Sequence, residues 1–269
     1  MENKLKTFGV GIQLYTIRNE MEIDPLGSLK RVSDLGFRYL ELAGYADGRF
    51  YGYAPADLRK IASDLGMEII SSHAMVDGSD KNIDPIRKMA EAHAELGVNY
   101  CIQPWVFEED RTTLSSYKKM ATAWNIAGQI MKDHKIQFGY HNHNFEFDTI
   151  EGATPYYDVL LKELDNDLVT MELDLFWAVK AGQNPVEMFH KYPGRFQLFH
   201  MKDMFTRETP FFTPDTDDFA PVGAGILDFK EILNFKEMAG FKYMFVEQDS
   251  TKDGKPFDSI QISISNLTI

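Results

Sequence analysis

Apolar and amphipathic stretches alternate along the whole chain of 269 residues. Short apolar runs that are rich in β-branched and aromatic residues predict buried strands, and longer stretches with helical spacing predict helices. Several predicted helices have proline in their first turn or glycine just beyond their last turn, which is the usual asymmetry of helix ends. The pattern therefore predicts eight strands and eight helices that follow one another in turn.

Strict alternation implies parallel strands joined by right-handed crossovers, and eight such units can close into a barrel. The sequence predicts an α/β fold, a single-domain (β/α)8 TIM barrel over residues 1–269. An open doubly wound sheet is the alternative, but it would need a glycine-rich phosphate turn, and the sequence contains neither G-x-G-x-x-G nor a Walker motif. The predicted strands are residues 8–14, 37–42, 67–73, 98–103, 136–141, 168–174, 196–200 and 243–247. The predicted helices are residues 26–35, 55–65, 85–96, 111–134, 154–164, 185–190, 229–239 and 257–267.

The composition narrows the class of protein. The hydrophobic fraction of 44% is ordinary for a globular protein, and the net charge of -13 disfavours nucleic acid as a partner, since the protein would repel the phosphate backbone. The chain has neither an apolar run of the ~20 residues that span a membrane nor a visible signal peptide. We therefore expect no membrane partner and a cytoplasmic location, unless a signal peptide has been trimmed. The only cysteine, Cys101, lies in a strand-like run and is predicted to be buried rather than nucleophilic.

Polar side chains that can bind a metal ion stand at the ends of the predicted strands. In a barrel, the carboxyl ends of the strands surround the active site, so these side chains are expected to converge. Four of the seven histidines stand at such ends. His141 and His143 lie on the same side of their strand because side chains alternate along it. The strand-end residues are Glu41, His73, Gln103, His141, His143, Asp174, His200 and Glu247.

Imidazole and carboxylate ligands together favour a borderline divalent ion. We expect one such ion, Mn2+ or Zn2+ first, with Co2+ or Fe2+ as alternatives. Sites for Mg2+ or Ca2+ prefer ligands that are all oxygen, so these two ions fit the predicted set less well.

Five short motifs in this order resemble the xylose isomerase-like barrel superfamily, whose members are described broadly as sugar phosphate isomerases/epimerases. The resemblance covers nearly the whole chain, and its strength lies in the set rather than in any one motif. It implies a small sugar or polyol as the partner and allows a homo-oligomer. The motifs are residues 11–16 (GIQLYT), 140–144 (YHNHN), 172–174 (ELD), 200–203 (HMKD) and 246–247 (VE).

The resemblance also implies a set of metal ligands. The matching positions are His141, Asp174, His200 and Glu247, and the first of them is glutamate in ketose epimerases. Those epimerases use two glutamates on opposite faces of the sugar, so the histidine at position 141 departs from their pattern. Glu146 lies five residues later and could reach back towards the site. The nuclease branch of the superfamily needs a further histidine where this chain has Trp177, which disfavours a nuclease.

The implied reaction is metal-assisted proton abstraction next to a carbonyl, which gives an enediolate. Returning the proton makes the enzyme a sugar isomerase or epimerase, which is the first expectation. Expelling a β-leaving group makes it a lyase or dehydratase that acts on a keto-sugar, a 3-keto-glycoside or an inosose, which is the first alternative. A sugar-binding barrel without catalysis is the second. The predicted catalytic residues are Glu247, His143 and Lys202, and His141 is a further candidate base.

The remaining residues at the mouth are predicted to contact the substrate. Aromatic rings after the strands can stack on a sugar, and the irregular stretch 204–227 is expected to form a lid or a substrate wall. Phe145, Phe176 and Phe205 are further candidates for stacking. The predicted substrate-binding residues are Gln13, Glu41, His73, Gln103, Trp105 and Trp177.

Overall fold

Eight parallel strands close into a barrel in a computed structural model that describes residues 10–76, 83–150, 154–206 and 218–267. Each barrel strand lies beside the barrel strand that follows it in the chain, and the first strand pairs with the last. The predicted (β/α)8 barrel is confirmed. The barrel strands are Val10–Gln13 (β1), Tyr39–Leu42 (β2), Glu68–His73 (β5), Tyr100–Gln103 (β6), Gln137–His141 (β7), Val169–Asp174 (β10), Phe196–Met201 (β11) and Tyr243–Val246 (β14).

The helices pack around the outside of the barrel and begin and end where the sequence signals stand. Pro55 opens its helix, and Gly97 and Gly240 end theirs in the left-handed conformation, with φ of 84° in both. The helices are Arg18–Ile23 (α1), Pro25–Asp34 (α2), Pro55–Asp64 (α3), Asp84–Leu96 (α4), Leu114–Asp133 (α5), Tyr156–Glu163 (α6), Leu175–Lys180 (α7), Pro185–Lys191 (α8), Phe229–Asn234 (α9), Lys236–Ala239 (α10) and Pro256–Leu267 (α11).

The structure adds short elements that the pattern did not predict. Helix α7 directly follows β10, a 3-10 helix at Leu14–Ile17 connects β1 to α1, and the predicted helix 229–239 is divided in two at Phe235. Residues 8 and 9 of the first predicted strand lie outside the described residues. The described residues include three antiparallel pairs of two-residue strands in the loops: Tyr45–Ala46 with Arg49–Phe50 (β3 and β4), Thr149–Ile150 with Thr154–Pro155 (β8 and β9), and Asp203–Met204 with Phe219–Ala220 (β12 and β13).

The hydrophobic core has two parts. The larger part lies between the barrel and the helices and includes the buried Cys101. The smaller part consists of strand residues that fill the inside of the barrel, and its side chains are Ile70, Tyr100, Ile102, Leu198 and Phe245. The ring of Phe245 contacts that of His200, with centroids 6.5 Å apart. We call these five side chains the apolar plug. The polar side chains inside the barrel begin directly above it.

The carboxylate of Asp203 anchors both ends of the loop that follows β11 by hydrogen bonds. Its Oδ1 accepts hydrogen bonds from the backbone N–H groups of Met204 and Leu227, at 2.8 and 3.2 Å. Its Oδ2 accepts from the N–H groups of Gly223 and Gly225, at 3.0 and 2.9 Å. A side chain on Gly225 would come within 2.3 Å of the Asp203 carboxylate, so this approach requires glycine. Of the predicted lid at 204–227, residues 207–217 lie outside the described residues.

Within the described parts of the chain, none of the helices has both the length and the apolar character that crossing a bilayer requires.

His93 in α4 is expected to make the fold sensitive to acid. Its Nδ1–H donates to the Met89 carbonyl oxygen at 2.7 Å, its ring packs against Tyr45 and Phe50, and burial lowers its pKa to about 4. Since the unfolded chain binds the proton at a pKa of about 6.5, stability from this group is present above that pH and is lost as the pH falls to about 4. The loss amounts to about 3 kcal/mol. Urea unfolding at pH 7 and pH 4 should show this extra loss in the free energy of unfolding of the wild type and not in that of His93→Phe. Equal losses in both proteins would show that His93 is not the group responsible.

Candidate active site

A cavity of about 810 Å3 opens at the carboxyl ends of the barrel strands. This volume suits a ligand of the size of a monosaccharide or larger. Polar and aromatic side chains alternate on its wall, and those that matter for the chemistry are His141, His143, Lys202, Glu247, Asp249 and Trp177.

The four predicted metal ligands lie together at the floor of the cavity. We call His141, Asp174, His200 and Glu247 the outer cluster; each offers a donor atom within 4.8 Å of the others. Asp174 and His200 are neighbours across β10 and β11. The Nε2 of His141 lies 3.3 Å from Asp174 Oδ2, and the Nδ1 of His200 lies 2.7 Å from Glu247 Oε2.

Lys202 is buried beside the outer cluster and pairs with three carboxylates. Its Nζ lies 3.0 Å from Asp174 Oδ2, 2.7 Å from Glu247 Oε2 and 3.0 Å from Asp249 Oδ1. Burial opposes the charged forms, but Lys202 outweighs it and holds the pKa of Asp174 below, and that of Glu247 well below, the usual carboxyl range. Both ligands are therefore ionised at neutral pH. The three protons of the ammonium group are matched by three acceptors, so Lys202 is placed to compensate charge rather than to transfer a proton.

A second group of ligands lies deeper in the barrel. We call Glu41, His73, Glu172 and His200 the inner cluster; its donor atoms also lie within 4.8 Å of one another. His200 belongs to both clusters, because its Nδ1 faces Glu247 and its Nε2 faces Glu41 at 2.5 Å. Burial acts to lower the pKa of His73, but the Glu41 and Glu172 carboxylates outweigh it and raise that pKa to about 9.

His143 stands on the cavity wall among aromatic rings. Its ring meets Trp105 edge to face at 4.5 Å, is parallel to Phe145 and contacts Trp177 at 5.4 Å. Burial lowers the pKa of His143 well below its usual value, and the neighbouring His141 and Lys202 act in the same direction. The imidazole is therefore neutral at neutral pH and can accept a proton.

Glu146 does not reach the cavity. It is fully buried behind His143, where its carboxylate accepts hydrogen bonds from the Tyr140 hydroxyl and, at 2.9 Å, from the His143 N–H. Burial raises the pKa of Glu146 to about 7. It therefore does not replace the glutamate that ketose epimerases carry at the position of His141.

Four buried polar atoms of cavity-lining residues have no hydrogen-bond partner within the described residues. They are the Nδ1 of His141, the Nδ1 of His143, the Nε1 of Trp177 and the Nε of Arg111. Buried polar atoms normally have a partner, and one left without it in a cavity indicates where a ligand supplies the missing group. Donors and acceptors of this kind suit a hydroxylated molecule.

The predicted substrate contacts divide into two groups. His73, Trp105 and Trp177 line the cavity, whereas Gln13, Glu41 and Gln103 lie beneath its wall. Gln13 donates to Glu41 at 2.9 Å, and Gln103 accepts from the Val76 N–H at 2.6 Å and donates to the Trp105 carbonyl oxygen at 2.7 Å. The amide side chains of Gln13 and Gln103 therefore hold neighbouring groups of the site in position and do not face the cavity.

The aromatic candidates also divide. Phe145 lines the cavity, but Phe176 is buried against Phe219, and Phe205 is half exposed away from the wall. Only Phe145 of these three is placed to contact a substrate.

Sequence reasoning missed Glu172, Asp249 and Arg111. Glu172 stands two residues before Asp174, and Asp249 stands two residues after Glu247, so each shares the side of its strand with a metal ligand. That spacing was a signal for both. Arg111 gave no signal, because it follows no strand directly; its guanidinium lies over the Phe145 ring at 3.5 Å.

The outer cluster fits a divalent metal ion. It offers two imidazole nitrogens and two ionised carboxylates, the mixture that borderline ions such as zinc or manganese accept. Glu247 and His141 also line the cavity, so an ion held here is open to a ligand on that side. An open position is what distinguishes a catalytic metal site from a structural one.

Comparison with known proteins gives the family. The model of the protein family described as "xylose isomerase-like TIM barrel" matches residues 29–263 of this chain. The chain belongs to this family. The resemblance seen in the sequence is thereby confirmed, and the family accounts for the barrel and for polar residues gathered at its carboxyl end.

Relatives within the family carry two kinds of name. An inosose dehydratase of Geobacillus kaustophilus is 26% identical over 230 residues, which cover 76% of this chain and 72% of the relative. A sugar phosphate isomerase/epimerase from Parabacteroides distasonis is 29% identical, covers 96% of this chain and 93% of its own, and superposes with a TM-score of 0.81. A protein called IOLI, solved with a zinc atom, is 17% identical and shares the fold over 97% of this chain and 98% of its own, with a TM-score of 0.75.

Proposed function

We propose that this protein is a metal-dependent lyase that removes water from a cyclic or open-chain keto-polyol such as an inosose. The observation that carries the proposal is that one uncommitted base, His143, faces the cavity, while Glu146 is sealed behind it. Epimerisation by two carboxylates needs a base on each face of the sugar. Elimination needs one base and one acid, and the cavity wall offers both.

The residues have distinct roles in this reaction. His141, Asp174, His200 and Glu247 would hold a divalent ion, which supplies Lewis-acid stabilisation of the negative charge that develops on the substrate oxygens. His143 takes the proton from the carbon next to the carbonyl. The bond between the β-carbon and its hydroxyl oxygen then breaks, a double bond forms, and the hydroxyl leaves as water with one added proton. Asp249 also lines the cavity, outside the ligand set, and burial raises its pKa although Lys202 opposes that shift, so it is placed to donate that proton.

Lys202 and the aromatic residues support these steps. Lys202 keeps Asp174 and Glu247 ionised and directed at the cluster, since its ammonium group lies within 3.0 Å of both. Trp105, Phe145 and Trp177 surround the imidazole of His143 and keep it neutral by excluding water. The free Nε1 of Trp177 can donate to a substrate hydroxyl.

An isomerase that moves a proton between adjacent carbons is the second candidate. Such a reaction also needs a single base, and the relative from Parabacteroides distasonis is named a sugar phosphate isomerase/epimerase. The two candidates differ in whether the substrate loses water.

The product formed in D2O separates the candidates. We expect the manganese- or zinc-loaded protein to convert an inosose to a dehydrated diketone or its enol, seen as loss of the mass of water. A product of unchanged mass that carries deuterium on carbon would instead favour isomerisation or epimerisation. Absence of both reactions across inososes and ketoses, in a protein that holds its ion, would contradict an enzymatic role on these substrates. Asp174→Asn is the matched inactive control.

A further inference from the structure

We propose that the inner cluster is a second metal site, closed and tetrahedral, which shares the imidazole of His200 with the outer cluster. The second ion goes beyond the proposed reaction, because three of its four ligands do not line the cavity. Its ligands would be Glu41, His73, Glu172 and His200.

The geometry of the four donor atoms fits a small tetrahedral ion. The Nε2 of His200 lies 2.5 Å from Glu41 Oε1 and 3.2 Å from Glu172 Oε2. The Nε2 of His73 lies 3.4 Å from the same Glu41 oxygen and 2.8 Å from the same Glu172 oxygen. In a tetrahedral zinc site, with bonds of about 2.0–2.1 Å, neighbouring ligand atoms are about 3.3 Å apart. The two separations near 3.3 Å already fit, and the two shorter ones would have to open by about 0.5 and 0.8 Å to admit the ion.

The two glutamates leave oxygen atoms without partners. Glu41 Oε2 and Glu172 Oε1 are buried and accept no hydrogen bond from the described residues. Both side chains are wholly inaccessible to solvent, and in the described part of the chain their ion pairs are with His73 and His200 alone. A buried carboxylate pair without lysine or arginine needs its charge balanced, either by protons on the two histidines or by a cation. A divalent cation would balance both carboxylates.

Local irregularities in the barrel aim these glutamates inwards. The pairing of β2 with β5 shifts register between Leu40 and Glu41, and that of β10 with β11 shifts between Met171 and Glu172. Bulges of this kind commonly redirect a side chain next to a functional site. The two glutamates from opposite parts of the barrel are thereby brought to the same pair of imidazoles.

The inner cluster differs from the outer cluster in access. Of its four ligands only His73 touches the cavity, and the apolar plug that includes Leu198 and Phe245 closes it from below. All four coordination positions are filled by protein atoms, which is typical of a structural zinc site. The ion would fix the orientation of His200 from behind, as outer partners of metal-bound histidines usually do.

Zinc content of the wild type and three variants tests the site. After chelation and reloading with Zn2+ alone, we expect about two equivalents per chain in the wild type and about one in Glu172→Gln and in Asp174→Asn. Glu146→Gln removes a buried carboxyl from the same end of the barrel but from neither cluster, so it should keep about two. A single equivalent that Asp174→Asn abolishes and Glu172→Gln retains would overturn the proposal, because protons on the imidazoles would then balance the glutamates. A single equivalent with the opposite dependence would support the inner site and count against the metal of the proposed reaction.

A second measurement needs no variant. If His200 bridges two ions through Nδ1 and Nε2, wild-type protein loaded with Cu2+ alone should contain magnetically coupled copper. The electron paramagnetic resonance signal would then be weaker than its copper content requires. A full-intensity signal from two bound copper ions per chain would overturn the shared imidazole.

Discussion

Replacing Asp174 with asparagine is expected to remove the outer-cluster ion and to lower kcat/KM by roughly 10^3-fold or more, since Lewis-acid stabilisation contributes several kcal/mol. We expect this substitution to leave the fold intact. Asp174 Oδ1 accepts a hydrogen bond from the Trp177 N–H at 2.9 Å and so caps α7, and asparagine caps a helix equally well. What the variant loses is the charge of Oδ2, which lies next to His141 and Lys202.

Elemental analysis and a turnover assay on the same preparation check this prediction. Glu146→Gln serves as the control for ion content, because that carboxyl is buried behind His143 and belongs to neither cluster. An Asp174→Asn protein with a full complement of ions and wild-type turnover would show that the outer cluster is not the catalytic site.

Replacing His143 with glutamine should lower kcat by about 10^2–10^4-fold, the usual contribution of a general base, without changing ion content. The imidazole lines the cavity, and burial holds its pKa well below the usual value. In the wild type, kcat/KM should stay level near neutral pH and fall as the acidity increases, because protonation then removes the base. That acid limb should be missing from the residual activity of the variant.

The pH profile separates a base from a structural residue. His190→Gln, in a solvent-exposed position of α8, is the control and should behave as the wild type. If His143→Gln raised KM alone and kept the acid limb, His143 would contact the substrate without taking its proton. The role of base would then pass to Glu247 or His141.

The barrel could be predicted because every βα unit carries its own local signals. Apolar runs of strand length and the proline and glycine at helix ends act within a few residues, so alternation is readable without tertiary information. The short antiparallel strand pairs could not be predicted in this way. They involve two-residue strands such as Tyr45–Ala46, which are held by loop contacts rather than by a repeating pattern.

The candidate site was predictable to the extent that strand ends converge. The outer cluster lies at the expected strand ends, as do His73 and Trp105 on the cavity wall. The direction of individual side chains was not predictable, since a shift in register by one residue moves a side chain to the other face. Glu41 turns inwards beside such a shift, and Gln103 bonds to backbone atoms below the cavity. Contacts of this kind depend on neighbouring strands rather than on spacing in the chain.

The carboxylate of Asp203 has a consequence for how barrels of this design can diversify. Four backbone amides meet on it, so the two flanks of the loop after β11 are fixed independently of the sequence between them. We expect a segment grafted between those flanks from another sequence to leave His200 in place on β11 and Lys202 in place just after it. The sequence between those flanks can therefore change, by evolution or by engineering, while the residues that carry the proposed chemistry stay in the barrel.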